Sequence, residues 1–179
     1  MQNKVNIKRY NVDLQKLAST FNSGNIYLDK FLREPYSLDD SYGKTYVILS
    51  DTNNEIIGYF NIGTGYIEQA DYGMNRKIGG SVHINCLAIA KKYQRRMQKK
   101  SDETLSIIAS EVLLDECLKI IEYIREKYVG FAFITLMATK EGYNLYKRNG
   151  FEELDDDLNF SAGDSEAECK PMYMVLDFV

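Results

Sequence analysis

The sequence predicts a mixed α/β fold in which a largely antiparallel central sheet of about six or seven strands is flanked by helices. Two apolar runs, Thr45–Ser50 and Glu55–Ile62, are separated by four turn-forming residues and therefore predict a β-hairpin. Polar and apolar side chains alternate along Ser81–Ala90, which is typical of a strand. An amphipathic helical pattern that ends near Tyr128 leads into the nearly continuous apolar strand Phe131–Met137, so helices alternate with strands in the second half.

The composition indicates one globular domain that covers residues 1–179. Of these 179 residues, 45% are hydrophobic and 27% are charged, which provides enough apolar chain for a sizeable core. No apolar run approaches the ~20 residues that cross a membrane, and the N-terminus lacks the apolar region of a signal peptide. The sequence therefore predicts a protein that is not associated with a membrane.

The chain contains three cysteines and a single histidine, His83. Their spacing matches no metal-binding pattern, so we predict no metal site, and the cysteine usage fits a reducing, cytoplasmic setting. The net charge of −4 argues against a protein that binds nucleic acid over its whole surface.

The first half of the chain begins with a predicted strand over Val5–Tyr10. Asp13 is expected to cap a first short helix, and the apolar spacing from Ile26 to Leu32 predicts a second. The glycine-rich segment Gly63–Gly80 shows little periodicity. We therefore predict that it is a mobile connection that shapes the pocket of the acceptor substrate.

The second half continues the alternation of helices and strands. The long amphipathic helix is predicted to start at an N-cap serine, either Ser110 or Ser101. A short helix over Lys140–Asn149 is ended by a glycine. Asp155–Glu168 is acidic and irregular, and Met172–Phe178 is predicted to be the final strand.

A basic segment lies between the predicted strand at the centre of the chain and the long helix. Six of the ten residues in Lys91–Lys100 are cationic. Free amides at a helix start and clustered cations form a common anion site, so we predict that this segment binds phosphate groups. A solvated surface turn is the alternative interpretation.

Two stretches resemble the GNAT superfamily of N-acetyltransferases. The first, Cys86-Leu-Ala-Ile-Ala-Lys-Lys-Tyr-Gln94, is similar to the strand and loop that hold acetyl-CoA in that family. The second, Gly142-Tyr-Asn-Leu-Tyr-Lys-Arg-Asn-Gly-Phe151, is similar to its late helix, which carries a tyrosine and ends in Gly-Phe. The resemblance covers most of the chain. It implies an acyltransferase that moves an acetyl group from its cosubstrate acetyl-CoA to an amine.

The sequence departs from the family where glycines usually follow the glutamine. Here Gln94 is followed by Arg-Arg-Met-Gln-Lys, with no glycine to let the backbone approach a pyrophosphate closely. Three interpretations follow. Backbone amides of residues 108–110 bind the pyrophosphate at the helix start, or Arg95, Arg96 and the lysines after them replace amides by charge-assisted contacts. In the third, cofactor binding is weakened or lost, and the competing function class is then a non-catalytic CoA-binding or protein-interaction domain.

The resemblance also implies roles for individual residues. Tyr146 would protonate the departing CoA thiolate, and His83 would act as the general base on the amine, with Glu68 and Asp71 as rival bases. A core tyrosine and a hydrogen-bonded strand histidine are the structural alternatives. Backbone groups of two strand residues would pair with the pantetheine arm. The residues predicted to bind the cofactor are Leu87, Ile89, Gln94, Arg95, Arg96, Ser110 and Asn144.

A fainter resemblance links the chain to the GNAT toxins of toxin–antitoxin pairs, which acetylate the amino acid on charged tRNA. It rests on Phe21–Leu32 together with Thr45–Leu49 and Ile57–Phe60. A surface for tRNA should be basic, whereas this chain is acidic, with eight carboxylates between Glu152 and Glu168. We therefore predict a small-molecule or protein amine as the acceptor and keep aminoacyl-tRNA as the alternative. Exposed strand edges are compatible with a homodimer.

Overall fold

The computed structural model describes residues 5–94, 109–160 and 168–176. Within these ranges the chain forms eight strands and four α-helices. The strands are β1 (Ile7–Arg9), β2 (Lys44–Leu49), β3 (Ile56–Asp71), β4 (Met74–Ile89), β5 (Phe133–Ala138), β6 (Glu152–Glu153), β7 (Leu158–Phe160) and β8 (Lys170–Val175). The helices are α1 (Val12–Ala18), α2 (Ile26–Arg33), α3 (Ala109–Lys127) and α4 (Tyr143–Arg148).

The strands form one mixed sheet in the order β1-β2-β3-β4-β5-β8-β6, and β7 pairs with β3. β1 pairs with β2, β5 with β8, and β6 with β8, all antiparallel, whereas β4 and β5 are parallel. The predicted mixed and largely antiparallel α/β fold is therefore confirmed. The eight strands exceed the expected count because β6 and β7 are only two and three residues long.

The chain divides into two compact units. The first contains Met1–Asn61 and Cys86–Lys119, and the second contains Ile62–Asn85 and Ile120–Val179. β3, β4 and α3 each contribute residues to both. None of the helices in the described ranges combines the length and apolarity that a membrane span needs.

The core of the first unit surrounds Tyr59, which is fully buried. Its ring lies 5.5 Å from that of Phe21 and 6.3 Å from that of Phe31, and its hydroxyl donates to the Leu28 carbonyl at 2.7 Å. The buried residues of this core are Tyr10, Ala18, Phe21, Leu32, Val47, Leu49, Ile56, Tyr59, Ala88 and Ala90.

Asparagines cap the two short helices of the first unit. The Asn11 side chain accepts from the Leu14 backbone N–H at 3.2 Å, and Asn25 does the same for the start of α2. The expectation that Asp13 caps α1 is wrong, because Asp13 lies inside the first turn. There its negative charge still interacts favourably with the positive end of the helix dipole.

The glycine-rich segment is not a mobile connection, and that prediction is wrong. Gly63–Gly80 belongs to β3 and β4, which are joined by a two-residue turn at Tyr72 and Gly73, with φ of 45° and 81°. Close approach of the strands explains the glycines, because a Cβ on Gly65 would lie 3.0 Å from Ser81 Oγ. Glycine therefore marks tight strand packing here and not mobility.

Candidate active site

Tyr146 lies on α4 in the second unit and is 8% exposed. Its ring packs edge-on against that of Phe151, with centroids 5.7 Å apart. The Tyr146 carbonyl accepts from the Asn149 and Phe151 backbone N–H groups, and Gly150 has the left-handed φ of 87° that such a helix end requires. The Gly-Phe sequence therefore fixes the ring through the backbone. α4 itself is shorter than predicted, at six residues.

A polar cluster at the start of α4 joins the helix to β6 and β8. The Tyr143 hydroxyl donates to the Glu153 carboxylate and accepts from Lys147 Nζ at 3.2 Å, while Lys170 Nζ lies 3.3 Å from Glu153. The Tyr143 hydrogen bond is the main reason that the pKa of Lys147 is raised and that of Glu153 is lowered. All these contacts are exposed, so they orient α4 more than they stabilise it.

His83 is 7% exposed in the second unit. Its Nδ1 lies 2.9 Å from Thr135 Oγ1, and its ring packs at 5.3 Å from that of Phe160. Burial lowers the pKa of His83 from 6.5 to about 4. The imidazole is therefore neutral at pH 7 and is a weak base, and the hydrogen bond to Thr135 is the one that a structural histidine would make. Its role as general base stays a prediction.

The two rival bases lie on the hairpin of β3 and β4. Glu68 accepts from the Asn75 side chain at 3.1 Å, and Asp71 is exposed beside the turn. Both carboxylates are accessible to water, and both lie near the tip of the hairpin. They remain predictions, like His83.

The two strand residues predicted to face the pantetheine arm lie at the end of β4 in the first unit. Ile89 is buried and Leu87 is half-buried. The parallel pairing of β4 with β5 runs from Ser81 to Ile84. Among the described residues, the edge of β4 over Cys86–Ile89 therefore has no β5 partner, and its backbone groups are suited to pair with an extended ligand.

Gln94 has a structural role that the sequence did not reveal. Its side-chain amide donates to the Ser23 carbonyl at 2.7 Å and to the Ile89 carbonyl at 2.8 Å. The residue thus joins the turn between α1 and α2 to the end of β4. Its predicted contact with the cofactor stays a prediction, and Arg95 and Arg96 lie outside the described residues.

The remaining predicted residues, Ser110 and Asn144, lie on helices. Ser110 is the second residue of α3, so it does not cap the helix, because an N-cap residue lies outside the helix it caps. Ser101, the other expected cap, lies outside the described residues. Asn144 is exposed on α4, which fits either a surface position or a ligand contact.

Sequence reasoning missed the polar partners of His83. Thr135 Oγ1 contacts His83 and also lies 3.5 Å from Ser81 Oγ, so three polar side chains meet inside the second unit. The register explains the contact, because His83 lies opposite Thr135 in the β4–β5 pair. The available signal was a single threonine within an otherwise apolar strand.

No protein-family model and no curated protein matches the sequence. The chain is similar, however, to solved structures that include toxins. A structure described as a bacterial toxin is 21% identical, with 96% of this chain and 92% of that chain covered and a TM-score of 0.68. AtaTR bound with acetyl-CoA is 16% identical, with 97% and 95% covered and a TM-score of 0.72. AtaT complexed with acetyl-methionyl-tRNAfMet is 18% identical, with 88% and 94% covered and a TM-score of 0.62.

The chain has the fold of these toxins. The resemblance to the GNAT superfamily and its toxins, drawn from the strand and helix motifs, is therefore confirmed for the fold over nearly the whole chain. At 16 to 21% identity the likeness establishes the fold alone.

Proposed function

We propose that the protein is an N-acetyltransferase that transfers the acetyl group of acetyl-CoA to an amine. One observation carries the proposal. The tyrosine of the Gly-Phe helix motif, Tyr146, lies at a helix end that main-chain hydrogen bonds close. The chain also shares its fold, over 97% of its length, with the structure of AtaTR bound with acetyl-CoA.

The reaction needs a general acid that protonates the leaving thiolate and a base that accepts a proton from the amine. The amine nitrogen attacks the thioester carbonyl carbon, the C–S bond breaks, and the leaving thiolate takes the proton of the Tyr146 hydroxyl. The amine loses its surplus proton to a base or to water, and the Tyr146 phenolate takes up a proton from water, which restores the acid. A phenol with an ordinary pKa of about 10 stays protonated at neutral pH and can therefore donate.

The cosubstrate would be held by backbone groups on the β4 edge over Cys86–Ile89. An extended pantetheine arm pairs with such an edge as an added strand does, through main-chain hydrogen bonds. Ile89 is buried and Leu87 is half-buried, so their backbone groups, more than their side chains, are suited to this pairing. Backbone donors at this edge are also suited to polarise the thioester carbonyl.

Release of free thiol from acetyl-CoA tests the proposal. The purified protein should release thiol faster in the presence of a mixture of primary amines than alone, and the acetylated amine should appear in equal amount. Binding of acetyl-CoA without any acetylated product, over a broad amine panel, would instead favour a non-catalytic CoA-binding domain.

The second candidate is acetylation of the α-amine of an aminoacyl-tRNA. It is favoured by the similarity to AtaT in complex with acetyl-methionyl-tRNAfMet. The net charge of −4 opposes it, yet six cations in Lys91–Lys100 form a local basic segment within an acidic chain.

A direct competition between acceptors separates the two candidates. Charged tRNA and a free amino-acid ester are offered together with acetyl-CoA, and the acetylated products are quantified. Acetylated aminoacyl-tRNA that forms preferentially, and whose formation falls steeply between 50 and 200 mM salt, identifies the tRNA candidate. Preference for the ester, without steep salt dependence, identifies a small amine.

A further inference from the structure

The hairpin of β3 and β4 extends beyond β5 at its closed end, in the second unit. In the strand order β4 lies between β3 and β5, and its pairing with β5 begins at Ser81, just after the Gly80 carbonyl accepts from the Ala132 N–H. The segment Met74–Gly79 therefore has β3 on one side and, in the part of the chain that the structure describes, no strand on the other. We call this segment the distal edge of β4.

Main-chain groups of the distal edge point away from β3. In a hairpin with a two-residue turn the flanking residues, here Asp71 and Met74, face each other and exchange both hydrogen bonds. The next alternate residues, Asn75 and Lys77, then direct their N–H and C=O groups outward. Ala70 supports this register, because its N–H points to the other side of β3 and donates at 2.8 Å to the residue before β7. Such an edge is suited to pair with an added strand.

Exposed apolar side chains flank two cations on the distal edge. Met74 is 74% exposed and Ile78 is 44% exposed. Arg76 lies between them on the same face, and Lys77 lies on the opposite face, because side chains alternate along a strand. Lys77 Nζ lies 5.3 Å from the centroid of the Tyr66 ring. Within the described ranges, neither cation forms an ion pair with a carboxylate.

The carboxylates of this hairpin lie on β3. Glu68 accepts from the Asn75 side chain at 3.1 Å, and Asp71 lies beside the turn. Because adjacent strands are about 4.8 Å apart, a strand added to the distal edge would lie about 4.8 Å from β4 and about 10 Å from β3. The cations of β4 would therefore be its direct cross-strand neighbours.

The two adjacent cations oppose pairing of this edge with a second copy of the chain. Antiparallel pairing centred on the segment places Arg76 of each copy opposite Lys77 of the other, and like charges directly opposite each other are destabilising. A strand with carboxylates at these positions would instead form opposite-charge pairs. The distal edge therefore favours an acidic strand.

We propose that the distal edge of β4 binds an extended acidic peptide of a partner protein as an added strand. Main-chain hydrogen bonds to Asn75 and Lys77 hold the peptide. Its carboxylates pair with Arg76 and Lys77, and its apolar side chains pack on Met74 and Ile78. The inference goes beyond the proposed acetyl transfer, because this binding needs neither acetyl-CoA nor an amine.

Fluorescence anisotropy with the labelled peptide Ser-Val-Glu-Glu-Thr-Val-Ser tests the site on the full chain at low salt. Saturable binding is expected. Arg76→Glu combined with Lys77→Glu should weaken it about tenfold, because opposite-charge pairs become like-charge pairs. A peptide with lysines in place of the glutamates should bind this variant better than it binds the wild type. Lys127→Glu combined with Lys140→Glu makes the same change in net charge at exposed lysines outside the hairpin and should have no effect.

N-methylated peptides distinguish strand addition from charge attraction alone. In an added strand, alternate N–H groups point to β4 and the others point to solvent. N-methylation of one alternate set should therefore weaken binding about tenfold, whereas N-methylation of the other set should have little effect.

The proposal is overturned if the peptide does not bind, if the charge-reversed variant binds it as the wild type does, or if the two methylated peptides bind equally well. Unfractionated tRNA that binds through Arg76 and Lys77, where the peptide fails to bind, would assign the edge to nucleic acid. A wild-type dimer in sedimentation that Lys77→Pro, which removes an outward N–H, converts to a monomer would assign it to a second copy. Either result contradicts the proposal.

Discussion

Tyr146 is positioned by main-chain hydrogen bonds and by one aromatic contact, and both are independent of its hydroxyl. The ring packs against Phe151, and the Tyr146 carbonyl closes the helix end. These contacts persist when the hydroxyl is removed. This separates a catalytic role from a packing role.

We predict that Tyr146→Phe retains the fold and the affinity for acetyl-CoA but lowers turnover by about 10²–10⁴-fold, the usual contribution of one general acid. Circular dichroism and cofactor titration check the first part, and steady-state thiol release checks the second. Tyr128→Phe removes the hydroxyl of a tyrosine that is 73% exposed and serves as the control. A variant with wild-type turnover would show that Tyr146 is a packing residue only.

The second prediction for a single residue concerns how the titration of His83 makes stability depend on pH. Its pKa of about 4 in the folded protein lies below the ordinary 6.5. As the pH falls through 6.5 the unfolded chain takes up a proton that the folded protein binds only near pH 4. The free energy of unfolding should therefore decrease by up to about 1.4 kcal/mol per pH unit in this window, and this group has no effect above it.

Urea unfolding at pH 7 and pH 5 measures the effect. The wild type should lose about 2 kcal/mol more than His83→Asn between these two pH values, because the variant lacks the titrating group. Comparing losses within each protein removes any difference in stability that the substitution itself causes. Equal losses in the two proteins would mean that His83 titrates in the folded state as it does in water.

At the scale of elements, Gln94 connects the turn after α1 to the end of β4 through two hydrogen bonds from one amide. We predict that Gln94→Glu and Gln94→Ala each lower the free energy of unfolding at pH 7 by about 1–2 kcal/mol, because both lack the donor. The glutamate variant keeps the length of the side chain and is therefore the informative one. Wild-type stability of Gln94→Glu in urea unfolding would contradict a role as donor.

The packing of α3 on β3 and β4 in the first unit depends on Gly58. A Cβ at this position would lie 2.6 Å from Ile89 Cδ1, 2.9 Å from the Ala88 carbonyl oxygen and 3.2 Å from Leu113 Cδ2. We predict that Gly58→Ala lowers the free energy of unfolding by about 1–3 kcal/mol through overpacking.

Gly130→Ala is the matched control for this substitution, since a Cβ there meets no atom within 4 Å. Its effect should stay within about 0.5 kcal/mol. Urea unfolding of both variants decides the comparison. If the two lose the same stability, the loss comes from backbone conformation and not from the contact with Ile89 and Leu113.

At the scale of the whole molecule, a ligand that binds only the folded chain must stabilise it. We predict that acetyl-CoA at 100 times its dissociation constant adds about 2.7 kcal/mol to the free energy of unfolding and raises Tm by about 5–10 °C. Thermal unfolding with and without the cosubstrate measures this, and adenosine at the same concentration is the control. An unchanged Tm at millimolar acetyl-CoA would remove the proposed enzyme function.

The sequence alone was sufficient for the features that local periodicity or turn chemistry encodes. These are the first hairpin, the apolar face of α3, the alternating strand and the helix that Gly150 and Phe151 end. The resemblance to the GNAT superfamily depends on two of these stretches, and it was confirmed for the fold. Local sequence preferences that agree with one another favour a single fold.

Tertiary structure alone decided the features that depend on which strands and turns approach each other. The glycines of Gly63–Gly80, whose sequence predicts a mobile loop, lie in β3 and β4. They are glycines because the neighbouring strand leaves too little room for a side chain. Thr135 meets His83 only through strand register, and Gln94 reaches Ser23 across 71 residues of chain.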